Sequence, residues 1–164
     1  MTESSTPRFF VGRAHSGPAF WLGGDRYSFI AVGRQTSSTF ALYETFIPPG
    51  HGARPHVHSR ESESFYVLSG RLAISVDGQA VALAAGDFIH FPPGILYGFQ
   101  NEGEEPVRLL TILIPAGLEE FVASAGVDAG STADSPECTA VDSERMIADA
   151  RKYGVDYPPG RDAR

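Results

Sequence analysis

The chain has 164 residues and a formal net charge of −7, from 13 Lys and Arg against 20 Asp and Glu. That acid excess repels a phosphate backbone and argues against nucleic-acid binding. The length suits one domain, or one domain with a tail, and the 42% of hydrophobic residues suffices for a core. The 18 Gly and 12 Pro favour turns and short strands over long helices, and the 11 Phe and 6 Tyr suit pleated, half-buried surfaces.

Residues 1–8 are polar and read as a frayed terminus. From Phe9 onward, short apolar runs alternate with turn residues. The expected strands are Phe20 to Leu22, Tyr27 to Val32, Phe40 to Ile47, Ser64 to Leu68 and Leu72 to Val76. Ala80 to Leu83, Phe88 to Phe91, Leu96 to Phe99 and Val107 to Ile114 follow. Breaks every ~8–12 residues predict an all-β sandwich or barrel. Asp77-Gly78 is a hairpin signal, because both positions of such a turn need φ > 0. Pro92-Pro93-Gly94 ends a strand, since proline has no N–H to give to the ladder. Gly117 to Ala123 is expected to form a short helix, 125–139 a linker, and Asp142 to Lys152 a second helix capped by Asp142 or Ser143. Met146, Ile147 and Tyr153 would anchor that helix. The expected organisation is a barrel over 9–124, with 125–164 a linker and a helix packed on it. Cys138, alone, cannot form an internal disulfide, and the N-terminus lacks a basic segment followed by an apolar one. A cytoplasmic protein, with no membrane association, is the expectation.

The chemistry concentrates in 50–63. His56 and His58 are two residues apart, so on a strand they share a face, about 6.6 Å apart. Two imidazoles can converge on one ion from there. Glu63 stands at an odd offset from both, so Ser59 to Ser62 must turn the chain for it to join them. Glu61 is an alternative carboxylate, expected as a solvated charge; His51, in a Gly-rich turn, is expected at the surface, and His15 has no motif around it.

Gly50, His56, His58, Glu63 and Gly70, with five, one, four and six residues between successive members, match the first motif of the cupin family. Gly86, Pro92, Gly94, Tyr97 and Asn101, with five, one, two and three residues between them, resemble its second motif. The departure is Tyr97, where the family has a histidine. Phe20-Trp21-Leu22-Gly23-Gly24, the segment Pro115 to Phe121 and Tyr153-Gly154-Val155 are similar to small single-domain quercetin dioxygenase-like cupins. The resemblance implies a cupin or jelly-roll β-barrel with short C-terminal helices. It implies a divalent metal ion, iron first, with zinc, manganese or nickel as alternatives. The ligand positions carried over are His56, His58, Glu63 and, fourth, Tyr97, with Glu63 also as the catalytic proton acceptor. The function so implied is a metal-dependent, dioxygenase-like oxidoreductase acting on a small aromatic or oxygenated organic compound, in a homodimer. The rival is a non-enzymatic small-molecule-binding or sensor cupin with a degenerate metal site.

Tyr97 leaves three arrangements open. It is no ligand, and two His with one carboxylate leave coordination positions free; or it ligates as a phenolate; or the site binds no metal. His90 is a possible replacement ligand if it points inward, although a histidine bonded elsewhere is the expectation. Trp21, Phe65, Tyr66, Phe91 and Phe99 are candidates for a pocket wall or plain core, and Arg54 for holding an anionic group.

Overall fold

In this computed structural model, which describes residues 9–130, 134–137 and 140–159, the alternating apolar pattern is realised as twelve strands and three helices. The expected frayed terminus, Cys138 and part of the expected linker lie outside the described residues. Strands β1 (Ala19–Leu22) and β2 (Asp25–Ala31) form a hairpin around Gly23-Gly24, both at positive φ. A turn of helix, α1 (Gly33–Thr36), leads to β3 (Ala41–Ile47). Then come β4 (Gly52–His58), β5 (Ser62–Ser69), β6 (Arg71–Val76) and β7 (Gln79–Ala84). The chain continues through β8 (Phe88–Phe91), β9 (Leu96–Gln100) and β10 (Val107–Ile114). It closes with α2 (Leu118–Ala125), β11 (Val127–Asp128), α3 (Ala140–Lys152) and β12 (Val155–Asp156).

The strands make two antiparallel sheets. One runs β11-β1-β2-β3-β10-β5-β8 and the other β12-β4-β9-β6-β7. Inward residues of both pack together: Ile47, Phe65, Val67 and Leu109 from the first sheet meet Leu72, Ile74, Tyr97 and Phe99 from the second. A second cluster, with Phe29, Tyr43, Leu113, Leu118 and Phe121 buried, ties α2 to the first sheet, and Met146 and Tyr153 pack against it. Asp77 and Gly78 take φ of 47° and 82°, as the hairpin requires.

Three details differ from the sequence reading. The linker contains β11, which pairs with β1, and the tail contains β12, which pairs with β4. Two-residue strands carry no periodicity and leave no trace in the sequence. Helix α3 starts at Ala140, so Asp142 lies in its first turn rather than at its cap.

Candidate metal centre

A β-bulge aims the histidines. Ala53 pairs with Phe99 and His56 with Tyr97, so Arg54 and Pro55 of β4 lie opposite the single residue Gly98 of β9. On an unbulged strand the odd offset from an inward Ala53 would put His56 on the outer face; with two residues opposite one, Ala53 and His56 both face the core. Pro55 has no N–H to leave unpaired, and Gly98 has no Cβ to strike it: one built there would stand 2.7 Å from the Pro55 nitrogen. The Arg54 carbonyl accepts from His56 Nδ1 at 2.8 Å. A carbonyl can only accept, so Nδ1 carries the proton and Nε2 keeps its lone pair. Burial, with the neighbouring His58 adding to it, pushes the His56 pKa down to about 3, against the Arg54 bond. The ring is therefore neutral, the form that ligates a metal.

Ser59 to Glu61 turn the chain from β4 in one sheet to β5 in the other. That change of sheet removes the parity conflict, and Glu63 faces the histidines across the interior. One ligand atom each from His56, His58 and Glu63 lie within 4.8 Å of one another, and all three residues are buried. His58 Nε2 is 3.8 Å from Glu63 Oε2. Such a set of two imidazoles and one carboxylate fits a divalent ion with coordination positions to spare. Burial raises the Glu63 pKa, with His58 and the Tyr97 bond opposing and Glu61 reinforcing.

Tyr97 reaches the same point from β9. Its hydroxyl donates a short hydrogen bond to Glu63 Oε2. Its ring stacks on Phe91 at 3.8 Å between centroids, 4° from parallel, and lies 4.6 Å from the His56 ring. Burial, with the Glu63 charge, holds its pKa well above 10, so it is a phenol here.

Glu61 is buried, not solvated: it is 4% exposed. Its Oε2 lies 3.8 Å from His58 Nδ1, and neither atom has a hydrogen-bond partner among the described residues. A carboxylate facing the far nitrogen of an imidazole is the outer-shell arrangement that orients metal-binding histidines. His90 stands on the outer face of β8, where Ser64 Oγ lies 2.9 Å from its Nδ1. Glu63 pairs with Phe91 and Phe65 with Ile89, so that strand turns Ile89 and Phe91 inward and His90 outward.

The cluster opens into a cavity of about 270 Å³. Phe65, Phe99, Leu118 and Phe121 line it, and Met146, Ile147 and Tyr157 of the C-terminal segment complete the wall. Arg54 also lines it, its guanidinium 5.9 Å from the centre of the Tyr157 ring. Tyr66 is exposed on the outer face, Phe91 lies under Tyr97, and Trp21 packs edge-on to Phe46. The sequence reading missed Asp25, Tyr27, Tyr43 and Tyr157, all in the cavity wall. Period-two alternation relates Asp25 to Tyr27, but nothing in the sequence marks Tyr157.

The cupin domain model matches residues 43–113. Quercetin 2,3-dioxygenase of Bacillus subtilis (strain 168) is 25% identical over 117 residues, covering 71% of this chain and 34% of that protein. Gentisate 1,2 dioxygenase 1 of Aquipseudomonas alcaligenes is 32% identical over 76 residues, 46% of this chain and 22% of that one. The chain spans between 34% and 60% of the length of the first curated relatives it matches. Among solved structures, a predicted oxalate decarboxylase from Thermotoga maritima superposes with a TM-score of 0.60 at 21% identity, over 65% of this chain and 99% of that one. No helix among the described residues is long and apolar enough to cross a membrane. The two-sheet jelly roll, the domain match over residues 43–113 and these relatives support a cupin superfamily protein.

Proposed function

We propose that this cupin is a metal-dependent oxidoreductase of the dioxygenase type, acting on a small aromatic or oxygenated compound held in the cavity. The supporting observation is the convergence of His56, His58 and Glu63, within 4.8 Å, at that cavity. Two distant relatives named as a quercetin and a gentisate dioxygenase favour the same reading. The ligands would be the Nε2 atoms of His56 and His58 and a carboxylate oxygen of Glu63. A bound divalent ion, iron before zinc, manganese or nickel, would supply Lewis acidity and, as iron, access to dioxygen chemistry.

The chain's own groups divide the rest of the work. The Arg54 carbonyl fixes the tautomer of the His56 imidazole, and Glu61, 3.8 Å from His58 Nδ1, is placed to orient the second ring. Tyr97 stands at the fourth position of the family's set, and while its proton stays on the phenol it acts as the donor that holds Glu63. Glu63, its pKa raised by burial, is placed to take a proton from a substrate hydroxyl and return it. The aromatic and aliphatic walls exclude water and suit a planar ring. Arg54 offers a positive charge to an anionic substituent.

The test is oxygen uptake by iron-loaded protein with a panel of small phenols and enediols, repeated with Glu63→Gln. Uptake that depends on substrate and collapses in the variant supports the proposal. Saturable binding of the same compounds with no uptake favours a second reading, a binding or sensor cupin. The observation behind that reading is Tyr97 donating to Glu63, which occupies one carboxylate oxygen.

A homodimer is part of the proposal. Tyr66, Leu68, Phe88 and Ile114 are exposed on the neighbouring strands β5, β8 and β10, an apolar face suited to self-association. Light scattering at micromolar concentration, with Phe88→Lys as the disrupting variant, checks it.

A further inference from the structure

Asp25, the first residue of β2, is 1% exposed and lines the cavity. Its Oδ1 has no hydrogen-bond partner among the described residues, and no ion pair to its carboxyl is formed among them either. Two buried carboxylates away from the cavity's polar cluster, Glu119 and Glu44, are satisfied, whereas Glu61 Oε2 beside His58 is not, among the described residues. Glu119 accepts from the Gly33 N–H at 2.7 Å and the Gly117 N–H at 2.6 Å. Glu44 holds Arg108 with bonds of 2.8 and 2.9 Å. An unpartnered buried carboxyl costs free energy, and a stable fold keeps one only where something else offsets that cost.

We infer that Asp25 is a ligand-contacting residue, whose carboxyl hydrogen-bonds a hydroxyl group of the compound bound in the cavity. The inference rests on the reading above only in taking the cavity to be a small-molecule site; it does not need the metal. Three features of the wall select the ligand group. The carboxyl lies in a cavity whose polar lining, beyond Arg54 and the His56, His58 and Glu63 cluster, consists of the hydroxyl groups of Tyr27, Tyr43, Thr45, Ser143 and Tyr157. Burial raises its pKa well above the usual value, which favours the protonated acid, a form able both to donate and to accept. A neutral carboxylic acid pairs well with a hydroxyl, which has the same two capacities. The apolar walls of Phe65, Phe99 and Phe121 then suit a hydroxylated ring. Asp25 is thus a specificity-determining residue: an analogue without that hydroxyl leaves the carboxyl unpaired and binds worse.

The experiment is calorimetric titration of the zinc-loaded and the metal-stripped protein with phenol, resorcinol and hydroquinone. The two hydroxyls of the last pair are too far apart to chelate one ion. The expected result is that one dihydroxybenzene binds wild type about tenfold tighter than phenol, the worth of one buried hydrogen bond. In Asp25→Leu that preference shrinks to within about twofold, while Asp25→Asn, which keeps donor and acceptor, retains most of it. The ligand-free Asp25→Leu protein melts several degrees higher than wild type, roughly the shift expected when a functional group is traded for stability. A preference absent from wild type, or surviving in Asp25→Leu, overturns the inference. So does an Asp25→Leu protein that melts lower or does not fold, which would make the carboxyl structural. An Asp25-dependent preference in protein that holds no zinc leaves this inference standing and removes the metal reading. Bound zinc without the preference does the reverse.

Discussion

Two buried polar regions of the same barrel differ in how completely they are satisfied. Around Asn101, which is fully buried, nothing is left over. Its Nδ2 donates to the carbonyls of Ile47 at 3.1 Å and Glu105 at 2.8 Å, and its Oδ1 accepts from the Gly103 N–H at 3.0 Å. Its own backbone N–H and carbonyl bond His51 and Gly50. Around His58 the reverse holds: His58 Nδ1 and Glu61 Oε2 are buried without hydrogen-bond partners among the described residues, as is Asp25 Oδ1 in the wall of the same cavity. A closed network holds a loop in place, whereas an open one at a cavity is poised for a ligand. The contrast separates residues that build this protein from residues that equip it.

Substitutions in the two regions should therefore fail in different ways. Asn101→Ala breaks the closed network and should cost about 3 kcal/mol in urea unfolding, since it strands several buried groups. The protein that remains folded should bind metal with unchanged stoichiometry; lost stoichiometry would blur the distinction. Gly98→Val acts on the bulge that aims the histidines. A side chain forced against the Pro55 nitrogen, 2.7 Å from an ideal Cβ, should cost about 2 kcal/mol and also weaken metal binding. Stability lost with metal affinity intact would show that the bulge does not position His56.

Glu61→Ala should leave the metal-free protein within about 1 kcal/mol of wild type, because it removes a carboxylate with an unpartnered oxygen. Metal affinity, measured by competition with a chelator, should nevertheless fall about 10- to 100-fold, as for other outer-shell partners of ligating histidines. A large stability loss would place Glu61 with Asn101 among the structural groups. The smallest effect is expected at the Glu44–Arg108 pair, where Arg108 is 44% exposed. The Arg108 hydrogen bond holds the Glu44 pKa below its usual 4.5, with burial opposing. Its contribution is therefore present above the unfolded-state pKa and lost as pH falls through the lower folded value. Glu44→Gln should cost only about 0.5 kcal/mol at neutral pH and nothing at pH low enough to protonate the carboxylate. Equal losses at both pH values would contradict this.

The sequence was legible where periodicity and turn chemistry act locally. The alternation of Val107 to Ile114 and the Asp77-Gly78 turn each carry their own signal. So does the pair His56 and His58, together with the turn that had to bring Glu63 to them. That this turn carries Glu63 into the other sheet was not legible, because sheet membership is set by long-range pairing. Neither was the bulge at Arg54 and Pro55, which depends on Gly98, more than forty residues away. Glu61 looks like a surface charge in a polar run and is buried only because the turn folds it behind His58. Asp25 and Tyr157 reach the cavity through long-range packing that no local pattern encodes.

The central claim, that the open polar region is a metal centre, is tested most directly by elemental analysis of protein purified without chelator. Wild type should carry close to one divalent ion per chain, and the double variant His56→Ala, His58→Ala should carry almost none while keeping its β circular dichroism. Metal far below one per chain in wild type, falling no further in the folded double variant, would contradict the account.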